Sequence, residues 1–140
     1  MVSACLAGIP CRYDGRSNLR PEIAALVNAG EAVPVCPEVL GGLPTPRTPS
    51  EQKDGRVVSA EGDDVTQAFA SGAESALYIA EEYGCSAAVL KARSPSCGCG
   101  RIYDGTFTHT LVDGDGLFAA LLRKKGFQLF TEETFSPDKA

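Results

Sequence analysis

Three cysteines each follow a short apolar stretch and precede prolines or glycines, which places each thiol at the end of a predicted strand. Cys5 follows residues 2–4, Cys36 follows residues 32–35, and Cys97 lies on a Pro- and Gly-containing turn after residues 87–90. Three thiols are one fewer than a closed structural zinc site or a fully ligated iron–sulfur cluster uses. The pattern therefore indicates a metal site with an open coordination position, as catalytic sites have.

The other cysteines and the single histidine leave alternatives open. A free cysteine is often simply a small buried hydrophobe, and this applies to each thiol taken alone. Cys11 and Cys99 are placed either as a fourth ligand or as partly exposed loop thiols, and Cys85 is interpreted as structural. His109 lies in a threonine-rich segment away from the cysteine turns, so a Ser–His or Cys–His catalytic pair is not expected.

Carboxylate and hydroxyl groups stand beside two of these thiols in the sequence. Glu38 is two residues past Cys36, where a carboxylate would lie beside a bound metal and could act as a base. Ser94 and Ser96 flank a proline just before Cys97. Two roles are open for their hydroxyls, namely capping the turn and orienting a substrate.

Basic residues are concentrated near the cysteine turns although the chain as a whole is acidic. The formal net charge is −5, which argues against a partner such as DNA that requires a basic face. A small anionic ligand is compatible with the local clustering, and the usual alternative is a set of solvated charges. The candidates for substrate binding are Arg12, Arg47, Lys91 and Arg93, together with Ser96.

Strand-like and helix-like segments alternate four times, which predicts an α/β fold with a mainly parallel, open, Rossmann-like sheet and helices on both faces. Right-handed crossovers bring the carboxyl ends of the strands to one edge, where such sheets bind ligands. The three thiols are therefore expected to converge. We predict one domain over residues 1–130 and a polar, loosely packed tail over residues 131–140.

The expected compartment is the cytoplasm. No apolar run approaches the roughly 20 residues that a membrane-spanning helix needs, and the N-terminus lacks the pattern of a signal peptide. Structural disulfides are rare in the cytosol, so the 6 cysteines favour metal binding, catalysis or burial. No membrane association and no partner protein are predicted.

Several motifs together resemble the thiouracil desulfidase family, over nearly the whole chain from Val2 to about Phe130. The motifs that carry the resemblance are Ser3-Ala4-Cys5-Leu6, Arg12-Tyr13-Asp14-Gly15, Val35-Cys36-Pro37-Glu38, Pro44-Thr45-Pro46-Arg47 and Lys91-Ala92-Arg93-Ser94-Pro95-Ser96-Cys97-Gly98. The Cys-Pro-Glu and Ser-Pro-Ser-Cys-Gly motifs are specific in combination.

The resemblance implies an α/β enzyme with an oxygen-sensitive [4Fe–4S] cluster held by Cys5, Cys36 and Cys97. It implies non-redox hydrolytic release of sulfide from a thiolated pyrimidine, either thiouracil or 4-thiouridine monophosphate. Glu38 would be the catalytic acid–base group, assisted by the hydroxyl of Ser94. Two alternatives stay open, a non-catalytic iron–sulfur or zinc module and a thiol oxidoreductase that uses Cys97 and Cys99.

Overall fold

The computed structural model describes residues 1–136 and has a four-stranded sheet at its centre. Its four strands are β1 Val2–Ser3, β2 Pro34–Val35, β5 Ala87–Leu90 and β8 Gln128–Thr131. All three strand pairings in this sheet are parallel, and the spatial order is β2-β1-β5-β8. The predicted α/β class with a parallel sheet is therefore confirmed.

Helices cover both faces of the sheet. They are α1 Pro21–Asn28, α2 Pro37–Leu40, α3 Thr66–Glu82 and α4 Leu117–Lys124. Side chains alternate along β5, so Leu90 joins a core cluster with α3 and α4, whereas Val89 packs with Ile23 of α1 on the opposite face. Among residues 1–136, no helix has the length and apolarity to cross a bilayer.

Two antiparallel hairpins stand outside the central sheet. The first pairs β3 Ser50–Lys53 with β4 Arg56–Ser59. The second pairs β6 Arg101–Tyr103 with β7 Leu111–Asp113 and follows the turn that carries Cys97. Both hairpins contribute residues to the cavity described below.

The local structure around two of the cysteine turns differs from the sequence expectation. The first strand ends at Ser3, and a 3₁₀ helix, Ala4–Ala7, follows in place of a longer strand. The segment after Cys36 is rich in proline and glycine, yet it begins with the short helix α2. Pro37 is the first residue of α2, where a missing N–H is tolerated, so proline starts this helix instead of preventing it.

The predicted boundary of a loose tail at residue 131 is also corrected. Thr131 pairs with Leu90 in the sheet, and the Phe135 ring packs edge-on against Phe130 with centroids 5.8 Å apart. Glu132 has a buried side chain that forms an ion pair with Lys91. The chain therefore remains part of the fold through residue 135, and residues 137–140 lie outside the described residues.

Glycines allow α2 to lie directly against α3. A Cβ atom added to Gly72 on α3 would lie 1.8 Å from the carbonyl oxygen of Pro37, and one added to Gly41 would lie 2.0 Å from the carbonyl oxygen of Ala68. No side chain fits between the two backbones at these distances. This contact fixes the short helix that carries Glu38.

We expect Gly72→Ala to lower the free energy of unfolding by about 1–3 kcal/mol, because the added methyl group overpacks the contact between α2 and α3. This loss should outweigh the helix propensity of alanine, which alone would favour the variant by about 1 kcal/mol. Urea unfolding followed by circular dichroism measures the effect. The control is Ser71→Ala, an exposed neighbour on the same helix. A Gly72→Ala protein as stable as this control would contradict the prediction.

Candidate functional site

A cavity of about 650 Å³ lies at the carboxyl edge of the central sheet. Its lining includes the thiols of Cys5, Cys36 and Cys97, which follow β1, β2 and β5, together with Cys11 and Glu38. The three predicted ligands, which are far apart in the sequence, therefore line the same cavity. The parallel order of the strands explains this arrangement, because it places all three strand ends at the same edge.

Cys5 lies on the 3₁₀ helix, and its sulfur accepts a hydrogen bond from Asn18 Nδ2 at 3.4 Å. The backbone N–H of Asn18 also donates to the Cys5 carbonyl at 2.9 Å, so the loop is fixed to this turn at two points. Burial raises the pKa of the Cys5 thiol, and the bond from Asn18 opposes that shift by favouring the thiolate. Sequence reasoning missed Asn18, because a polar loop residue carries no local signal of this contact.

Cys36 and Cys11 form a neighbouring thiol pair. The interaction between the two thiols lowers the pKa of Cys36 and raises that of Cys11, and Cys36 Sγ also donates to the backbone carbonyl of Cys11 at 3.9 Å. Cys36 is the thiol more readily deprotonated, since it lies at the N-terminus of α2 and is close to the backbone N–H of Val39. The structure thus places Cys11 beside the proposed ligand Cys36. This position is the one that the fourth-ligand alternative for Cys11 requires.

Cys97 lies on a tight turn formed by the Ser-Pro-Ser-Cys-Gly motif. Ser94 Oγ accepts the backbone N–H groups of Ser96 and Cys97, both at 3.1 Å, and the Ser94 carbonyl accepts the N–H of Gly98 at 2.7 Å. Ser94 therefore caps the turn, which was one of its two predicted roles. Burial raises the pKa of Cys97, and a hydrogen bond with the Ser3 hydroxyl partly opposes the shift.

The donor set suits a thiophilic metal group larger than one ion. Thiolates are soft ligands that select iron–sulfur clusters, zinc or Cu(I). Within residues 1–136, no three His, Cys, Asp or Glu side chains are grouped closely enough to hold a single metal ion. The three thiols instead line one cavity from three separate strand ends, an arrangement that fits a multinuclear cluster better than a compact mononuclear site.

Glu38 is held by Arg47 in a largely buried ion pair. Arg47 Nε donates to Glu38 Oε1 at 3.1 Å, and the two side chains are only 7% and 18% exposed. Burial raises the pKa of Glu38, and the guanidinium opposes that shift. A carboxylate whose pKa lies above its ordinary value, and that faces a cavity, is suited to proton transfer.

Arg47 also ties together the loops around Cys36. Its Nη2 donates to the carbonyl of Cys11 at 2.8 Å, and its Nη1 donates to the Pro44 carbonyl and to Thr45 Oγ1. Its backbone N–H donates to Tyr13 O at 2.7 Å. Most of its guanidinium N–H groups are thus used within the protein, so its geometry favours a positioning role over the predicted substrate contact.

The other three basic candidates also line the cavity, and each has an acidic partner. Arg12 pairs with Asp14 at 2.9 Å, Lys91 with Glu132 at 2.9 Å and Arg93 with Glu133 at 2.8 Å. Arg12 donates in addition to Asn18 Oδ1, the residue that contacts Cys5. These pairs show that the basic cluster identified in the sequence is locally neutralised by carboxylates.

Ser96 is a correction to the predicted substrate-binding set. Its side chain is fully buried and lies outside the cavity lining, and its Oγ has no hydrogen-bond partner within residues 1–136. Its carbonyl accepts the N–H groups of Phe118 and Ala119, so it supports the first turn of α4. The turn after Pro95 directs Ser96 into the core. The positions of Ser94 and Ser96 on either side of the proline did not indicate this change of direction.

Cys99 and Cys85 lie apart from the cavity lining. Cys99 Sγ accepts a hydrogen bond from Arg123 Nη2 at 3.2 Å, whereas Cys97 faces the cavity. The two thiols that the oxidoreductase alternative requires are therefore directed to different surroundings. Cys85 packs against the core beside α3 and α4, in agreement with its structural interpretation.

Aromatic side chains that sequence reasoning did not assign to the site also line the cavity, and together they are called its aromatic wall. It includes Tyr103, Phe107 and His109 from the β6–β7 hairpin. The expectation that His109 lies away from the cysteine turns is therefore wrong. A signal was available, because Phe107 and His109 alternate with three threonines, and such alternation typically directs two sets of side chains to opposite sides.

Comparisons with known proteins give consistent results. The family model described as 2-thiouracil desulfurase matches residues 1–134. The uncharacterized protein YbbK of Bacillus subtilis strain 168 is 43% identical over 142 residues, which cover 94% of each chain. A solved structure described as [4Fe-4S]-dependent thiouracil desulfidase TudS is 49% identical with a TM-score of 0.89, and the match covers 94% of this chain and 89% of that one.

We expect Arg47→Met to lower the free energy of unfolding by about 3 kcal/mol, since it leaves the buried Glu38 carboxylate without its partner. Urea unfolding measures the change. Arg56→Met is the matched control, because the Arg56–Asp64 pair is exposed and its loss should leave stability nearly unchanged. Equal effects of the two substitutions would show that the Arg47–Glu38 pair does not hold the loops together.

Proposed function

The chain belongs to the 2-thiouracil desulfurase family, and on that premise we propose that it is an enzyme that hydrolyses a thiolated pyrimidine with a bound [4Fe–4S] cluster. Water replaces the sulfur on the ring carbon, and the products are the oxo-pyrimidine and hydrogen sulfide. The observation that carries the proposal is the shared cavity, which Cys5, Cys36 and Cys97 line together with the largely buried carboxylate of Glu38.

Cys5, Cys36 and Cys97 are the proposed cluster ligands. When bound, the cluster supplies a thiophilic Lewis acid that can polarise the thiocarbonyl group of the substrate. Groups of the protein favour the thiolate form of these residues, notably Asn18 at Cys5, the Ser3 hydroxyl at Cys97 and the start of α2 at Cys36. Such outer contacts orient metal ligands and tune the metal.

Glu38 is the proposed general base that takes a proton from the attacking water. One of its oxygens accepts the bond from Arg47, which fixes the direction of the carboxylate. Its low exposure limits competing contacts with bulk water and favours a pKa nearer neutrality. The contact between α2 and α3 fixes the short helix that contains Glu38 and follows directly after Cys36.

Ser94 is the proposed assisting hydroxyl. Its oxygen already accepts two backbone N–H groups, and among residues 1–136 its own hydrogen has no acceptor. A hydroxyl held in this way can donate to a heteroatom of the pyrimidine without disturbing the turn. Ser94 thus combines the two predicted roles, because the hydrogen bonds that cap the turn also orient the hydroxyl.

We expect Glu38→Gln to reduce the rate of sulfide release by roughly 10²–10⁴, the usual contribution of a general acid–base group. The amide keeps the shape of the side chain and an oxygen for Arg47, so iron and sulfide content should remain those of the wild type. Sulfide release from 4-thiouracil is measured anaerobically after cluster reconstitution.

The companion variant Cys36→Ser separates assembly from chemistry. It should lower the iron content and the visible absorbance of the cluster, as well as the activity. A Glu38→Gln protein with a normal cluster and near-normal sulfide release would exclude Glu38 as the base. A wild-type protein that holds the cluster but releases no sulfide from any thiolated pyrimidine would instead be a non-catalytic iron–sulfur module.

The proposed substrate is either a thiouracil base or 4-thiouridine monophosphate, and the basic residues at the cavity favour the nucleotide. Arg12 is the best placed phosphate contact, because it lines the cavity, is about one-third exposed and uses only two side-chain N–H groups, for Asn18 and Asp14. The remaining N–H groups can bind a phosphate without breaking the pair with Asp14.

We expect the monophosphate to be turned over more efficiently than 4-thiouracil, and Arg12→Gln to reduce kcat/KM for the nucleotide by roughly 10–100-fold. The value for the free base should change much less. The control is Arg16→Gln, an exposed arginine nearby that does not line the cavity. An equal loss for base and nucleotide would indicate that Arg12 acts through Asn18 and the Cys5 turn.

A further inference from the structure

The β6–β7 hairpin loop places aromatic groups on the cavity wall. Residues 104–110 connect Tyr103 at the end of β6 to Leu111 at the start of β7. Phe107 is half-buried, His109 is exposed, and both line the cavity together with Tyr103. The Tyr103 and His109 rings meet edge to face with centroids 5.8 Å apart. None of these rings has a role in the chemistry proposed above.

The backbone of this loop adopts an unusual conformation that separates its side chains into two sets. Phe107 and His109 both have φ of 59°, in the left-handed region that residues with side chains rarely adopt. The intervening threonines form a chain of hydroxyl contacts on the exposed side, 2.6 Å from Thr106 to Thr108 and 2.9 Å from Thr108 to Thr110. Residues held in such conformations are concentrated at binding sites.

A buried carboxylate from the other hairpin holds the loop in this conformation. Glu51 Oε1 on β3 accepts the backbone N–H groups of Gly105 at 3.0 Å and Phe107 at 3.1 Å. Gly105 lies so close to β3 that an added Cβ would be 2.7 Å from the carbonyl oxygen of Gln52. The loop is therefore docked firmly on β3 at its tip.

The same strand connects the loop to the turn that carries Cys97. Gln52 Nε2 donates to the carbonyl of Pro95 at 3.0 Å and to that of Asp115 at 2.9 Å. Neighbouring residues of β3 thus contact the aromatic loop and the Cys97 turn. These short polar contacts fix the distance between the aromatic wall and the thiols. A loop that only covered the cavity would not require them.

We propose that Phe107 and His109 bind the pyrimidine ring of the substrate, Phe107 by stacking and His109 by contact with a polar ring edge. This inference rests on the function proposed above and names the residues that determine its specificity. A flat, aromatic base presents a π-face that side-chain rings bind well. The two rings line the same cavity as the thiols and Glu38, so a base bound against them would lie in the cavity that holds the reacting groups.

The test compares three variants of the reconstituted enzyme with the wild type. F107L removes the aromatic face but keeps apolar bulk, F107Y keeps the face, and H109Q replaces the imidazole. Calorimetry gives Kd for uracil and for uridine monophosphate, ligands that report on binding without turnover. T108V, on the exposed side of the same loop, is the control for changes in loop shape.

F107L should bind uracil about tenfold more weakly, the usual scale of losing one base–aromatic stacking contact. H109Q should weaken binding by a similar factor, because it removes the contact of the imidazole with the polar ring edge. F107Y and T108V should bind nearly as the wild type does. In sulfide-release assays, F107L should raise KM with little change in kcat, because stacking is equal in the ground state and the transition state. Iron content should be the same in all variants.

The outcomes separate this inference from the proposed function. If the wild type releases sulfide while F107L and H109Q bind uracil normally, the aromatic wall does not bind the base and only this inference falls. Binding that is lost equally in F107L and F107Y would also overturn it, because packing and not stacking would then be responsible. If the wild type releases no sulfide and F107L loses uracil binding, the aromatic wall binds the base as inferred here, and only the proposed hydrolytic function is wrong.

Discussion

The parallel pairing of β1 with both β2 and β5 is the constraint on which the site depends. Strands of two and four residues provide little sheet, yet their direction brings three cysteines, separated by 31 and 61 residues in the sequence, to one edge. An antiparallel strand in either position would send its following turn to the opposite edge. The position after β1 and β5 is also where open α/β sheets leave a crevice, because the connections leave in opposite directions.

The largely buried ion pair of Glu38 and Arg47 fixes the shape of the site and also changes the pKa of Glu38. Removing the Glu38 carboxylate from water is unfavourable, and Arg47 offsets the cost by direct pairing. Because Arg47 also bonds the carbonyl of Cys11, the ion pair connects α2 to the loop that follows the Cys5 turn. The site therefore depends on a largely dry ion pair for its shape, and the same dryness raises the pKa of the carboxylate that would accept the proton.

The sequence allowed the main architecture to be predicted, because alternating strands and helices leave few topologies and the cysteines mark the strand ends. It also located Glu38, through its distance of two residues from Cys36. The sequence did not indicate the orientation of Ser96, because it depends on how a turn reverses. It also did not indicate the partners of Lys91 and Arg93, which are carboxylates about 40 residues away in the chain. His109 was missed although the alternation of residues 106–110 contained the information.

The four basic residues around the cavity show how a charge cluster can have two successive roles. Each lies on or beside irregular loops, where polar contacts replace the regular hydrogen bonds of helices and sheets, and each is paired with a carboxylate. Their first role is to fix the loops. An anionic substrate must then use the N–H groups that remain free, because displacing a carboxylate would loosen a loop that carries a thiol. This condition favours Arg12, which keeps free N–H groups, over the more fully committed Arg47 as the contact for an anionic group.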